Sequence, residues 1–133
     1  MIFLLKKKSM INKSNNVKKL IDKIVTGISD VKGQNIEMLD LRSIENRICD
    51  FYIVCSGTSN IHVSAIFESI KKKVSKCLKE KPSHTEGVDS AEWVLLDYID
   101  VVVHIFQSHI REFYNIEELW GDCKGNINPL NKN

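Results

Sequence analysis

Residues 49–55 read Cys-Asp-Phe-Tyr-Ile-Val-Cys, an almost unbroken apolar run rich in strand-forming side chains. A strand with one wet face alternates polar and apolar residues, so a run like this one needs cover on both faces. It stops at Ser56-Gly57-Thr58-Ser59-Asn60, a turn that ends in residues suited to cap a helix. Val63, Ile66, Phe67, Ile70, Val74, Cys77 and Leu78 then recur at helical spacing, which predicts a helix to about residue 79. A further apolar run occupies residues 100–107. A strand, a helix and a strand in one sheet join through a right-handed crossover, which sets the two strands parallel. That unit constrains everything else in the chain.

The remaining elements are arranged around it. Val17, Leu20, Ile21, Ile24, Val25 and Ile28 form a second helical stripe over residues 14–29, with Ser14 as N-cap and Gly33 as the turn beyond. Residues 35–41 predict a strand with Ile36, Met38 and Asp40 on one side. Pro82 closes the middle helix, and residues 81–91 form a polar loop. Residues 92–97 and 100–107 predict strands joined by Tyr98-Ile99, a connection so short that it implies an antiparallel hairpin. Val101, Val103 and Ile105 then point to one face, and Val102, His104 and Phe106 to the other. A last helix over residues 108–120 carries Ile110, Phe113, Tyr114 and Trp120, and Gly121 stops it. The expected fold class is α/β: one mixed β-sheet of roughly four or five strands with flanking helices, one face of it only partly covered.

At 133 residues and 43% hydrophobic, the chain fits one domain with one core, and neither disorder nor a disulfide scaffold suits its composition. Residues 1–13 are expected to be a flexible basic extension, 14–121 the folded domain and 122–133 a frayed tail. The net charge of +2 is uneven: residues 1–33 carry +6, residues 34–83 carry +2 and residues 84–133 carry −6. Nucleic-acid binders usually show a basic face throughout their folded part, so a basic protein partner is as plausible here as a phosphate backbone. Four cysteines without a Cys-x-x-Cys pair suit reduced thiols in a cytoplasmic protein. The apolar stretch at residues 2–5 is too short to span a bilayer, and its lysines follow it rather than precede it as in a signal peptide.

Catalytic patterns are missing. Gly57-x-Ser59 lacks the second glycine of a nucleophile elbow, and Cys55 ends an apolar strand, where a thiol is usually buried and inert. His62, His84, His104 and His109 show no metal-ligand spacing, so no metal and no cofactor are expected. The Gly57 turn precedes a helix N-terminus, a position that binds anions, but it has no Gly-Lys-Ser/Thr ending. Two-metal transfer chemistry needs two acids on one strand face, and Asp97 and Asp100 instead flank a turn. One cluster resists a purely structural account: Trp93 opens a strand, and Glu86, Asp97, His104, Arg111 and Tyr114 can gather near it. Trp, Tyr and Arg are the anchors of protein interfaces, although a Trp at a strand start can equally be core.

Several blocks, in order, resemble the ribosomal silencing factor family (RsfS, or Iojap). They are Cys49-Asp50-Phe51-Tyr52-Ile53-Val54-Cys55-Ser56-Gly57-Thr58-Ser59, then Glu86-Gly87, then Ala91-Glu92-Trp93-Val94-Leu95-Leu96-Asp97. Asp100-Val101-Val102-Val103-His104-Ile105-Phe106 follows, and Arg111-x-Phe113-Tyr114-x-Ile116-Glu117-x-Leu119-Trp120 closes the match. The resemblance implies a nucleotidyltransferase-like fold without the catalytic carboxylates, and a homodimer. It implies binding to a protein of the large ribosomal subunit (its universal fourteenth), so that joining of the small subunit is sterically blocked and translation repressed. By motif, Glu86, Trp93, Asp97, Asp100, His104, Arg111 and Tyr114 are the partner-binding candidates, Trp93 first. Where the family often has Gly before the Asp that opens the last strand, this chain has Ile99, whose β-branched side chain disfavours positive φ; another turn geometry is expected.

Two rival readings stand beside this one. The first is a nucleotide-binding or nucleotidyl-transferring enzyme that uses the Gly57 loop, with Glu86, Asp97 and Asp100 as metal ligands. The second is an RNA-binding module that uses the lysines of the N-terminal segment and the middle helix. Direct RNA contact is secondary in the family reading, and no membrane contact is expected.

Overall fold

A computed structural model of the chain describes residues 2–115, 118 and 126–129. In chain order the elements are α1 (Ile2–Asp30), β1 (Gln34–Asp40), β2 (Phe51–Gly57), α2 (Asn60–Leu78), β3 (His84–Glu86), β4 (Trp93–Asp97), β5 (Val101–Gln107), α3 (Ser108–Phe113) and β6 (Asn126–Pro129). One six-stranded sheet has the order β3-β4-β5-β2-β1-β6. β2 and β5 pair in parallel across the α2 crossover, as the strand-helix-strand unit requires, and every other neighbouring pair is antiparallel. The α/β class and single mixed sheet expected from the sequence are therefore present. Among the described residues no helix is long and apolar enough to cross a membrane.

α1 and α2 pack side by side on one sheet face. Ile24 and Ile28 of α1 and Val63, Ile66, Ile70 and Val74 of α2 are fully buried there, against Ile53, Val101, Val103 and Ile105 of the sheet. Each such side chain contributes about 1.5–3 kcal/mol of burial. Ser59 caps α2 by accepting from the His62 N–H at 3.1 Å, as the turn sequence suggests. The second face carries a smaller cluster that includes Leu39, Leu41, Cys49, Val54, Val102 and Phe106.

Five details differ from expectation. α1 begins at Ile2 rather than near Ser14, so the expected extension 1–13 continues the helix; neither Gly nor Pro stands between Ile2 and Thr26 to stop it. β3 lies inside the expected loop 81–91, where it adds an edge strand to β4. β6 lies inside the expected tail 122–133 and pairs with β1; its Pro129 is tolerated because an outermost strand needs fewer N–H donors. α3 ends at Phe113, where Asn115 turns to φ +49°, so Tyr114 follows the helix; beyond Asn115, of the expected continuation through Trp120 to the Gly121 stop only Glu118 is described, helical and with its N–H on Asn115 O at 3.1 Å. Finally, Ile99 does adopt positive φ, at +76°. The short hairpin requires it: Tyr98 N–H reaches Val101 O at 2.9 Å, and Asp97 Oδ1 accepts the Ile99 N–H at 2.8 Å. Ile99 and Asp100 are the two central residues of the turn from Tyr98 to Val101, and a two-residue loop of this hand holds the first of them at positive φ whatever side chain is there.

Candidate protein-docking site

The strand registers assign the side chains of the second face. Leu95 lies opposite His104, Trp93 opposite Phe106 and Asp97 opposite Val102. Glu86 lies opposite Leu95 and His84 opposite Asp97. Across β2, Val54 lies opposite His104 and Ser56 opposite Phe106. Directly paired residues share a face. His84, Glu86, Trp93, Asp97, His104 and Phe106 therefore occupy one continuous surface on the side away from α1 and α2.

Trp93 is its centre. The indole is 41% exposed, yet its Nε1–H donates to His104 Nδ1 at 3.0 Å. Its ring packs on Phe106 with centroids 4.7 Å apart, and Tyr52 meets the His104 ring edge-on at 4.7 Å. His104 is 4% exposed. Burial penalises its charged form and pulls the imidazole pKa down to about 4. At neutral pH the ring is uncharged, and because Nδ1 accepts, the proton sits on Nε2. The result is a tryptophan locked in place by groups behind it. Its polar atom is satisfied internally, and its exposed surface is purely apolar.

The other expected residues divide into two groups. Glu86 is exposed beside His84 (2.8 Å) and edges the Trp93 surface, while Asp97 shares that face but uses Oδ1 to hold the hairpin. Tyr114 is exposed and meets Phe113 edge-on at 5.0 Å just after α3. Asp100 sits in the hairpin turn, where its carbonyl accepts the Asp50 and Phe51 N–H groups and its carboxylate lies 3.6 Å from Lys13 Nζ. Arg111 is 4% exposed and reaches inward to Ser56 Oγ (2.8 Å), Asn35 O (2.9 Å) and Glu37 (3.4 Å). Its side chain ties α3 to β1 and β2, so the geometry brings Trp93, His104, Glu86 and Asp97 together but not Asp100 or Arg111.

A family model described as ribosomal silencing factor during starvation matches residues 14–133. The chain belongs to that family. A ribosomal silencing factor from Halalkalibacterium halodurans is 38% identical over 104 residues, covering 78% of this chain and 87% of the relative. A crystal structure of a Chromobacterium violaceum protein is similar with a TM-score of 0.72 at 34% identity, covering 78% of this chain and 85% of that one. A mouse protein named for mitochondrial assembly of the ribosomal large subunit is 29% identical over 102 residues, covering 75% of this chain and 44% of its own length. The family model begins at residue 14, so the first turns of α1 precede the matched region.

Family membership leaves the Gly57 turn to be weighed. A Cβ on Gly57 would lie 2.9 Å from Val63 Cγ2 and 3.0 Å from Val63 N, so only glycine lets α2 start this close to β2. The N–H groups that a phosphate would need are engaged locally: Thr58 with His62 Nδ1 (2.9 Å), Ile61 with Asn60 Oδ1 (2.9 Å) and His62 with Ser59 Oγ. Glu86 and Asp97 stand on separate strands, and among the described residues no group of three or more His, Cys, Asp or Glu side chains could hold a metal. Cys55 is fully buried and its thiol is pushed up to about 12, which suits packing rather than attack. Gly87 has φ +76°, and a Cβ there would meet Trp93 O at 2.1 Å. Glycine therefore lets this loop close onto the start of β4. Sequence reasoning missed Phe106 and Tyr52 as supports of Trp93, although the alternation of β5 already placed Phe106 on the His104 side.

Proposed function

We propose that this chain represses translation by docking its Trp93 surface onto a protein of the large ribosomal subunit, where it stands in the way of the small subunit. Family membership makes it a ribosome-associated translation regulator. The name of the mouse relative supports the large subunit as the place of action. The observation that carries the finer reading is the state of Trp93, half exposed and already immobilised by His104 and Phe106. An aromatic anchor that loses little freedom on binding is what a protein interface concentrates its affinity in.

The chemistry of the surroundings fits a basic protein surface. Residues 84–133 carry −6, and Glu86, Asp89 and Glu92 are exposed around the start of β4. Complementary charge speeds encounter and fixes orientation more than it adds affinity. The action is occlusion, with no catalytic residue and no cofactor, in the cytoplasm, and the same reading includes a homodimer. Mixing small and large subunits with the protein and resolving them on a sucrose gradient tests it. Joined ribosomes fall as the protein rises with the large subunit; unchanged joining while the protein co-sediments would refute occlusion.

A further inference from the structure

A second surface lies on the other side of β3. The C-terminal half of α2, β3 and the segment between them enclose a groove of about 970 Å³. Lys71, Lys72 and Lys76 of α2 line it together with Lys81, against only Glu68 and Glu80. Lys73, next in sequence, turns away to Asp30 of α1 at 2.9 Å. The lysines that line the groove therefore form a group distinct from the ion pair that joins the helices.

We propose that this groove holds the phosphate backbone of ribosomal RNA beside the docked protein surface. The inference rests on the ribosome-associated reading above and deepens it. Pro82 is the only apolar residue in the lining, and no Trp, Tyr, Phe, Leu, Met or Arg is present. Protein interfaces depend on those anchors, so an acidic protein finds little to hold. Arg, Asn and Gln, whose planar groups read base edges in fixed pairs of hydrogen bonds, are also missing from the lining. What remains is ammonium groups and the hydroxyls of Ser75, Ser83 and Thr85, the chemistry of sequence-independent phosphate contact. The groove and the Trp93 surface differ in sign and meet at β3, where His84 lines the groove and also pairs with Glu86. A ribosomal protein seated in its RNA would meet both surfaces at once.

Fluorescence anisotropy with a short RNA duplex and the full chain, over a series of salt concentrations, tests the groove. Wild type binds with affinity that falls steeply with salt. Replacing Lys71, Lys72, Lys76 and Lys81 by Gln flattens the plot of log affinity against log salt by about one for each lysine lost. Gln keeps the helix propensity of α2, and circular dichroism checks that it does. Trp93→Ala leaves duplex binding unchanged, and Glu68→Gln tightens it. Equal slopes for wild type and the four-lysine variant would overturn the proposal. So would tighter binding to a polyglutamate peptide than to the duplex, which would make the groove an acidic-protein site. Sedimentation with large subunits separates the two readings. Failure of the wild-type chain to bind subunits, with duplex binding intact, removes the docking reading and leaves the groove. Subunit binding with unchanged salt dependence in the four-lysine variant removes the groove and leaves the docking.

Discussion

The two faces of the sheet are made by alternate residues of the same strands, and they have become different materials. Toward α1 and α2, β5 presents Val101, Val103 and Ile105, all fully buried among aliphatic side chains. On the other side the same strand presents Val102, His104 and Phe106, under a half-exposed tryptophan. The covered face is packed with β-branched residues that interlock with two helices, which stabilises the fold and leaves nothing for a partner to grip. The second face includes a buried neutral imidazole and a buried guanidinium. Such groups add less to stability than aliphatic residues would, and they set the position of neighbours instead. In the proposed function, the two-residue period of a strand separates stability from recognition.

Substitutions can break that separation or sharpen it. The largest effect is expected from Ile66→Ala, which opens a cavity where α2 meets the sheet: about 2–5 kcal/mol lost in urea denaturation, with subunit binding per folded molecule unchanged. Arg111→Met removes the donor that serves Ser56, Asn35 and Glu37. About 3 kcal/mol is expected to go, as for a buried ion pair that loses one member. A loss below about 1 kcal/mol in the same assay would mean that α3 is anchored some other way.

Acid should weaken the Trp93 face selectively. Folded His104 has its pKa lowered to about 4, from an ordinary value of 6.5 that applies when the chain unfolds. Between those values the unfolded chain takes up the proton and the folded one does not. The stabilisation is complete above pH 6.5 and declines as pH falls toward 4, by about 2 kcal/mol between pH 6.5 and 5. Urea midpoints measured across that range should show the slope in wild type and lose it in His104→Gln. The smallest effect is expected from Ile99→Gly, which relieves a β-branched residue held at φ +76° and should gain about 1 kcal/mol.

Much of the covered face was legible in the sequence, because burial there is written as periodicity. The stripes from Val17 to Ile28 and from Val63 to Val74 are the buried faces of α1 and α2. The edges of the sheet were not legible. β3 and β6 have three and four residues, too few for a period to show, and they exist because β4 and β1 leave backbone groups to pair. Ile99 misled for a related reason, since local preference spoke against positive φ and hairpin closure overrode it. At the site, residue type singled out Trp93 and His104 correctly as neighbours. Arg111 was grouped with them by the same logic, and only the fold reveals that its guanidinium points inward to Ser56 and Asn35.

Co-sedimentation of Trp93→Ala and Ile70→Val with isolated large subunits tests the division of labour between the faces most directly. Ile70→Val costs about 1 kcal/mol of stability on the covered face and should bind subunits as wild type does. Trp93→Ala should lose about 2 kcal/mol or more of binding, roughly thirtyfold in affinity, while remaining folded. If Trp93→Ala binds as tightly as wild type, or if both variants lose binding alike, the second face is not the docking surface.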